Sequence, residues 1–281
     1  MIGINKNEPN FSVLIPLYFK EKPEYFDRAL KSIYFDQILK PTEIVIVEDG
    51  PLTEQLDNIV KTYLEKLPNI LKIVKLEKNK GLGTALNIGV KNCSYEIIAR
   101  MDSDDISLPE RFEKQLALMK TGKYDLIGSN IFEFEGDENK IIAIKKVPEN
   151  MEEILKYSRT KNPINHMSVM FNKYSVLRAG NYLPFYGFED YYLWVRMLIN
   201  GMVFYNIQEP LLKVRGGKEM IKRRGGSKIL RAEIKFFNKL NKIGFISKFE
   251  LIKILVIRTI ISMIPNSWRG AFYRCFLRKS L

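Results

Sequence analysis

Three carboxylates in a span of four residues follow a short apolar segment of the sequence. Residues 97–101 are apolar apart from one arginine, and Asp102, Asp104 and Asp105 come directly after them. The segment is typical of a buried strand, and carboxylates crowded at its end repel one another unless a cation or hydrogen-bond donors lie beside them. Hard divalent cations prefer oxygen ligands and often retain water and substrate phosphate oxygens. The pattern therefore predicts a Mg²⁺ or Mn²⁺ site at the carboxyl end of a central strand, where open α/β sheets bind ligands.

An acidic turn that leads into a capped helix is the alternative interpretation of this stretch. Residues 107–110 read Ser-Leu-Pro-Glu, which matches the capping-box pattern with a proline at a favoured early helical position. We expect Ser107 and Glu110 to form this cap. The cap gives the three aspartates no role, so the metal site remains the preferred interpretation.

A second acidic pair, Glu189 and Asp190, follows Gly187 and opens a predicted helix over residues 189–200. Acidic side chains in a first helical turn are favourable for the helix dipole alone, so a structural role is the alternative to a catalytic one. The helix is apolar on more than one face, which predicts that it is largely buried. We expect its arginine, Arg196, to pair with an acid inside or near the site.

Other groups of residues have both a binding and a structural interpretation. Gly81 and Gly83 precede a predicted helix, where a glycine turn either approaches a phosphate or sugar closely or simply joins strand to helix. Arg223 and Arg224 lie on a glycine-bearing stretch, and their guanidinium groups either bind a diphosphate or belong to a basic surface. The single histidine, His166, excludes any mechanism that needs two histidines, and a lone histidine is most often structural.

Apolar segments alternate with amphipathic ones along the first half of the chain. Strands are predicted at residues 11–17, 43–47 and 70–76, helices at 23–35 and 52–67, and a further helix that ends near Cys93. This alternation predicts an α/β fold with a parallel, doubly wound sheet, whose fourth strand delivers the aspartates. Beyond them we expect a helix at 109–119, extended apolar stretches at 124–134 and 141–147, and a last strand at 211–215.

The positive charge of the chain is concentrated at its C-terminal end. From Arg215 to Leu281 there are 17 Lys and Arg against 3 Asp and Glu, whereas the rest of the chain has 28 against 29. We therefore predict a near-neutral domain at residues 1–226 and a basic region at 227–281, whose charge suits an anionic membrane surface or a nucleic acid. Two cysteines are too few for a disulfide framework or a zinc site, and the polar first ten residues predict no signal peptide, which fits a cytoplasmic protein.

The basic region at 227–281 reads as two or three helices. Its stretch at 249–264 is apolar on nearly every side but carries Lys253 and Arg258 in the middle. It is too short and too charged for a membrane span, which needs about 20 apolar residues. Aromatic and basic residues are interleaved again from Trp268 onward. The prediction is an amphipathic region that lies on the membrane interface, and the alternative is a helical pair packed on the domain or in a homodimer.

Four segments together resemble a known enzyme family. They are Phe11-Ser-Val-Leu-Ile-Pro-Leu17, Val47-Glu48-Asp49-Gly50, Asn79-Lys80-Gly81-Leu82-Gly83 and Ala99-Arg100-Met101-Asp102-Ser103-Asp104-Asp105. In order and spacing they resemble the family 2 glycosyltransferases of the GT-A fold over about residues 11–215. The segment that begins at Arg223 resembles bacterial polysaccharide enzymes of the amylovoran and O-antigen type.

This resemblance implies roles for particular residues. Asp49 would contact the uracil of a UDP-sugar, Asp102 the ribose and the metal, Asp104 the metal, and Asp190 would act as the catalytic base. His166 is implied as a further metal ligand, because some relatives have a metal-binding histidine in this late segment, and an imidazole beside carboxylates would favour Mn²⁺ over Mg²⁺. The full set implied for nucleotide-sugar binding is Pro16, Glu48, Asp49, Lys80, Gly81, Arg100, Asp102, Ser103, Arg223 and Arg224.

The reaction implied by the resemblance is an inverting, metal-dependent transfer of a hexose of the glucose or galactose class from a UDP-sugar. The implied acceptor is a sugar linked to undecaprenyl diphosphate, with a β-1,3 linkage, in O-antigen, capsule or exopolysaccharide assembly on the inner face of the plasma membrane. Glu189 is an alternative base, and Glu48-Asp49 stands where the family usually has Asp-Asp. A non-catalytic nucleotide-sugar or carbohydrate-binding module is the first rival class. A nucleic-acid-binding protein is the second, but it leaves the acidic cluster unexplained, so we expect no nucleic-acid partner.

Overall fold

The computed structural model describes residues 10–216 and 227–263. The strands are β1 Phe11–Leu17, β2 Glu43–Glu48, β3 Leu71–Lys75, β4 Ile97–Arg100, β5 Ile106–Ser107, β6 Leu126–Phe134, β7 Ile141–Lys145, β8 Met170–Asn172 and β9 Phe204–Arg215. The helices are α1 Pro23–Tyr34, α2 Glu54–Lys66, α3 Leu82–Asn92, α4 Arg111–Met119, α5 Met151–Ser158, α6 Lys173–Arg178, α7 Glu189–Ile199, α8 Ser227–Lys242 and α9 Lys248–Met263, with a 3₁₀ turn at His166–Ser168.

One mixed sheet contains these strands in the order β3-β2-β1-β4-β8-β6-β9-β5, with β7 paired to β6. The first four strands, β1 to β4, run parallel to one another, as the sequence predicts. From β8 onward the sheet departs from the predicted pattern, because β8 runs antiparallel to both β4 and β6, and only the β6–β9 pair is parallel. The α/β fold class is confirmed, with the doubly wound parallel part confined to the half that carries the aspartates.

The central strands are buried along their whole length because helices cover both faces of the sheet. Every residue of β1 and β2 is buried. Along β1, Val13 and Ile15 face one core with α1 and α2, while Leu14 faces the other core with α3 and α7. Burying such a side chain contributes roughly 1.5–3 kcal/mol, so the two cores fix the strand ends to which the site residues are attached.

Helix α3 lies unusually close to the sheet at Gly89. A Cβ atom at this position would come within 2.3 Å of Leu14 Cδ1 and 3.0 Å of Val47 Cγ2. Only a residue without a side chain allows this approach. The contact brings the N-terminus of α3, with its glycine turn, next to the carboxyl ends of β1 and β2.

Two sequence-based boundaries are wrong for the same physical reason. Ser107 does not cap a helix, because it pairs with Leu212 of β9 and its hydroxyl accepts a hydrogen bond from Gln37 Nε2 at 3.2 Å. The helix predicted from residue 109 therefore begins at Arg111. The last strand begins at Phe204 rather than at residue 211, because its first residues pair with β6. Tertiary strand pairing decides both boundaries.

The two C-terminal helices, α8 and α9, pack on the rest of the protein through α7. Phe236, Phe237 and Leu240 of α8 are buried together with Tyr191 and Val195 of α7. A set of apolar side chains on α9 is exposed instead: Phe249, Ile252, Val256, Ile257 and Ile260. The inner face of the helix pair is thus packed, as the packed-helix alternative expects, and the outer face of α9 is exposed among the described residues. Membrane contact by this outer face stays a prediction. Among the described helices, none combines the length and apolarity required to cross a bilayer.

Candidate active site

The carboxyl ends of β1, β2 and β4 lie side by side, because these three strands are parallel and adjacent in the sheet. They place Pro16, Glu48 with Asp49, and the group Asp102–Asp105 at one edge. The sequence predicts this convergence, since each of these residues ends an apolar strand-forming segment. Open α/β sheets bind ligands at this edge.

Asp49 fastens the glycine turn that precedes α3. Its two carboxylate oxygens accept hydrogen bonds from the backbone N–H groups of Lys80, at 2.6 Å, and Gly81, at 2.9 Å. Gly81 has a φ of 84°, a conformation that favours glycine. The structure therefore brings together three predicted nucleotide-sugar residues. It also shows that Asp49 shapes the turn itself, which sequence reasoning did not anticipate.

Glu48, which stands where the family usually has aspartate, is 3% exposed. Its Oε2 atom lies 3.0 Å from the ammonium of Lys75. Its Oε1 atom is buried and has no hydrogen-bond partner among the described residues. A buried carboxylate oxygen without a donor is costly, so Glu48 leaves an unsatisfied acceptor at the edge where the strands end.

Arg100 carries a fully buried positive charge at the end of β4. Its Nη2 atom lies 2.5 Å from Asp102 Oδ1, and the side chain is 1% exposed. Burial opposes the charge, but the pairing with Asp102 outweighs it and raises the pKa of Arg100 above its ordinary value. Among the described residues, the buried Nε and Nη1 atoms of Arg100 have no hydrogen-bond partner. Unsatisfied buried donors are costly, so Arg100 leaves two polar atoms unsatisfied beside the acidic loop.

Arg215 holds the loop that carries the other two aspartates. Its Nε donates to the backbone carbonyl of Asp104 at 2.8 Å, and its backbone N–H donates to Asp105 Oδ1 at 3.0 Å. Its guanidinium lies 3.6 Å from the centre of the Tyr25 ring. The last residue of β9 therefore sets the position of the acidic loop, although it lies more than a hundred residues away in the sequence.

A second buried arginine, Arg111, supports the same loop and was missed from the sequence. Its Nη2 atom donates to the backbone carbonyl of Arg100 at 2.6 Å. Burial, and then the nearby charge of Arg100, lower the pKa of Arg111 to about 9. The only sequence signal is an arginine in the first turn of an amphipathic helix, which is ordinarily a solvated position.

The aspartates have the donor chemistry of a divalent-cation site. The pKa of Asp105 is raised well above its ordinary value, first by burial and next by the negative charges of Asp104 and Asp102. A cation would offset this repulsion. Within residues 10–216 and 227–263, however, no three His, Cys, Asp or Glu side chains are arranged to hold a metal by themselves. A metal here would take further ligands from substrate phosphates and water, as Mg²⁺ and related ions often do.

His166 is not brought into a ligand group with Asp102 and Asp104. Its Nε2 atom lies 2.9 Å from the Tyr182 hydroxyl, and its ring meets Trp194 edge to face. Burial, together with the charge of Arg100, lowers the pKa of His166 well below its ordinary value, so the ring is neutral. These contacts are those of a packed structural histidine, and the metal-binding role of His166 stays a prediction.

Asp190 is a desolvated carboxylate in the first turn of α7. Its Oδ2 atom accepts a hydrogen bond from Asn162 Nδ2 at 2.6 Å. Burial raises the pKa of Asp190, and this is opposed by the backbone N–H of Tyr191, by Asn162 and by the positive charge of Arg100. A carboxylate with a raised pKa is a stronger base. Asn162 is a second residue that the sequence did not identify, because 28 residues separate it from Asp190.

Glu189, the alternative base, lies against the N-terminal turn of α3. A Cβ atom on Gly83 would come within 2.8 Å of Glu189 Cγ. Burial raises the pKa of Glu189, and the neighbouring charge of Asp190 adds to this. Gly83 thus makes room for the turn that carries Glu189 and Asp190, which explains the second glycine of the motif.

Three further sequence predictions have different outcomes. Ser103 donates from its hydroxyl to Glu21 Oε2 at 2.5 Å, which ties the acidic loop to the loop after β1. Arg196 does not pair with an acid, because its guanidinium donates to the backbone carbonyls of Ala179 and Asn181. Arg223 and Arg224 lie outside the described residues.

Comparison with known proteins assigns the family. The model of Glycosyl transferase family 2 matches residues 12–179 of the chain. The chain is a family 2 glycosyltransferase. It is 38% identical over 279 residues to a UDP-Gal:alpha-D-GlcNAc-diphosphoundecaprenol beta-1,3-galactosyltransferase of Escherichia coli, a match that covers 99% of this chain and all of that protein. It is 42% identical over 240 residues to the amylovoran biosynthesis glycosyltransferase AmsE of Erwinia amylovora, covering 84% and 88% of the two chains.

Solved structures with a similar fold are GT-A glycosyltransferases, as the sequence predicts. Staphylococcus aureus TarS, in complex with UDP-GlcNAc, superposes on this glycosyltransferase with a TM-score of 0.64 at 19% identity, covering 95% of this chain and 73% of TarS. The mannosyltransferase PcManGT of Pyrobaculum calidifontis, in complex with GDP-Man and Mn²⁺, has a TM-score of 0.59 at 15% identity and covers 96% and 82%. At this level of identity the likeness establishes the fold alone.

Proposed function

We propose that this glycosyltransferase is an inverting enzyme that moves a hexose from a UDP-sugar to a sugar carried on a lipid diphosphate. The observation that carries the proposal is Asp190, a desolvated carboxylate with a raised pKa that is held by a hydrogen bond from Asn162. An inverting transfer needs one base and no covalent intermediate. The attacking hydroxyl of the acceptor gives its proton to Asp190 as its oxygen bonds to the anomeric carbon. In the same displacement, the bond between that carbon and the UDP oxygen breaks and UDP leaves.

The chain's own residues are assigned to the donor as follows. Glu48 and Asp49 are assigned to the uracil ring of the UDP-sugar, since the Oε1 atom of Glu48 is an unsatisfied acceptor that suits a ring N–H. The backbone of Lys80 and Gly81, held by Asp49, lines the approach to the sugar nucleotide. Arg100 offers its two buried, unpartnered donors to the donor substrate.

Asp104, with Asp102 beside it, is the proposed holder of a divalent cation, Mn²⁺ or Mg²⁺. The repulsion among the aspartates supports this assignment. When bound, the cation would offset the negative charge that develops on the UDP leaving group. Asp102 remains paired with Arg100, and Arg215 keeps the loop in place.

The specific donor and acceptor are proposed from the relatives. The E. coli relative is named for UDP-Gal and a GlcNAc-diphosphoundecaprenol acceptor, and it matches this chain over its whole length. We therefore assign to this chain a β-1,3 transfer of galactose or a closely related hexose, in O-antigen, capsule or exopolysaccharide assembly. A lipid-linked acceptor places the enzyme at the cytoplasmic face of the membrane, and the exposed apolar row on α9 supports such a location.

The test is a donor panel assayed with and without a GlcNAc-diphosphate-lipid acceptor. The purified protein is expected to release UDP from UDP-galactose or UDP-glucose in the presence of Mn²⁺ or Mg²⁺, with acceleration by the acceptor and inactivation by a chelator. Asp104→Ala is expected to abolish metal-dependent turnover while Tm stays near that of the wild type. Absence of transfer with any UDP-hexose, or full activity of Asp104→Ala with Mn²⁺, would contradict the proposal.

A further inference from the structure

Hydrogen bonds hold parts of the turn that carries the proposed base. The backbone N–H of Phe188 donates to the carbonyl of Phe185 at 2.8 Å, and Gly187 between them has a φ of 74°. Phe188 is the N-cap residue of α7, and no side chain caps the helix there. Asp190, two residues later, accepts a hydrogen bond from Asn162 at 2.6 Å. Side chains that pack against the turn are a second restraint on the start of this helix.

Phe236, a side chain of the C-terminal helix α8, supplies that packing. It is fully buried, and its ring stacks on Phe188 with the centroids 4.6 Å apart and an interplanar angle of 17°. It also lies 4.6 Å from the ring of Tyr191 and meets Phe185 edge to face at 5.5 Å. Phe188 and Tyr191 flank Glu189 and Asp190 in the sequence, so one side chain contacts both sides of the catalytic turn.

We propose that Phe236 is a positioning residue that holds the base turn at residues 185–191 in its reactive geometry. The inference rests on the proposed role of Asp190 as the base. Aromatic pairs in stacked and edge-to-face arrangements have preferred geometries in addition to their buried area, so the cluster restrains orientation as well as distance. A base must lie within hydrogen-bond reach of the proton it removes, and a misplacement of about 1 Å can cost roughly 100-fold in rate. The C-terminal helix pair thus belongs to the active site as well as to the surface of the enzyme.

Phe237 is the matched control on the same helix. It is also fully buried, and its ring lies 5.7 Å from the guanidinium of Arg258 and meets Phe236 edge to face at 5.3 Å. Among the described aromatic pairs, its ring contacts neither Phe188 nor Tyr191 directly. Phe236→Leu and Phe237→Leu remove the same atoms from one hydrophobic cluster. Both should lower Tm by similar amounts, because both leave a comparable void in the core.

The experiment measures kcat, donor KM and Tm for the full-length chain and these variants. Phe236→Leu is expected to lower kcat about 10-fold or more with donor KM unchanged, whereas Phe237→Leu keeps kcat within about 2-fold of the wild type. Phe236→Met, which keeps most of the volume but removes the ring, serves if the leucine variant does not fold, and its kcat should fall in the same way. Equal kcat for the Phe236 and Phe237 variants would overturn the proposal.

A double-variant cycle separates positioning from general destabilisation. In an Asp190→Asn background, Phe236→Leu should have little further effect on kcat, because the group it positions has lost its function. A fall of the same size in both backgrounds would refute the positioning role. If Asp190→Asn itself retains wild-type kcat, the proposed base is wrong, which is a separate failure. If Asp190→Asn is inactive and Phe236→Leu is fully active, only the inference about Phe236 fails.

Discussion

Asp190 is under two opposing electrostatic influences. Burial raises its pKa, whereas Asn162 and the buried charge of Arg100 lower it. Burial thus makes the carboxylate more basic, and the opposing interactions limit the rise in its pKa. Because only the ionised form accepts a proton, kcat should increase as the pH rises through the pKa of Asp190. It should decrease as the pH drops below that pKa.

Arg100→Met tests this balance through the pH dependence of kcat. Removal of a nearby positive charge disfavours the carboxylate form, so the pKa of Asp190 should rise and the acid limb of the kcat profile should move to higher pH. The control is Arg196→Met. Arg196 lies on the same helix as Asp190, but its charge is not among those that shift the pKa of Asp190. An acid limb that stays in place in the Arg100 variant would show that this charge does not act on the base.

At the scale of the element, the position of α3 depends on its contact with the sheet at Gly89. Gly89→Ala would place a methyl group 2.3 Å from Leu14 Cδ1, so the helix or the leucine must move. Overpacking of this kind typically costs about 1–3 kcal/mol. We expect a lower free energy of unfolding in denaturant titration, together with a higher donor KM, because the same helix presents the turn fastened by Asp49.

The control for that variant is Gly216→Ala, where a new Cβ atom would meet nothing closer than 3.6 Å. Its free energy of unfolding should lie close to that of the wild type. If Gly89→Ala has the same stability and donor KM as this control, the close approach of α3 to the sheet is not what positions the turn.

The elements of the site differ in how far the sequence could predict them. The strand that leads to Asp102 and the helix that begins at Glu189 are predictable, because an apolar segment followed by acids, and a glycine before acids, are local signals. The local pattern at Ser107 predicts a cap, but strand pairing with β9 overrides it. Asn162 could not be predicted because its partner Asp190 is 28 residues away. Arg111 could not be predicted because an arginine at the start of an amphipathic helix does not signal burial.

For the molecule as a whole, the C-terminal helices combine a packed and an exposed face. Ile246 and Ile254 are buried against α7 and α8, and Arg258 is paired with Glu233 at 3.1 Å. Removal of residues 245–281 should therefore lower Tm, as the alternative of a helical pair packed on the domain expects. The exposed row, in which Phe249 is 78% exposed, remains the candidate membrane contact.

Charge substitutions in that row test the contact without disturbing the packed face. A variant with Ile252→Glu and Val256→Glu should keep the Tm and the donor hydrolysis of the wild type, because both side chains are exposed. It should lose cosedimentation with vesicles that contain an anionic lipid, because insertion of apolar side chains and attraction of basic ones both weaken. Ile38→Glu, at an exposed apolar position outside the C-terminal helices, is the control. Vesicle binding by the double variant at the wild-type level would exclude this face as the membrane contact.

One carboxylate, Asp190, is proposed to remove the acceptor proton in a direct displacement. The most direct test compares kcat and donor affinity for Asp190→Asn with those for Glu189→Gln under saturating UDP-hexose and lipid-linked acceptor. We predict that Asp190→Asn lowers kcat by about 10²–10⁴-fold, the usual contribution of a positioned base, with donor affinity nearly unchanged. Glu189→Gln should retain most of the rate. The account is contradicted if Asp190→Asn turns over at the wild-type rate, or if donor affinity falls in parallel with kcat.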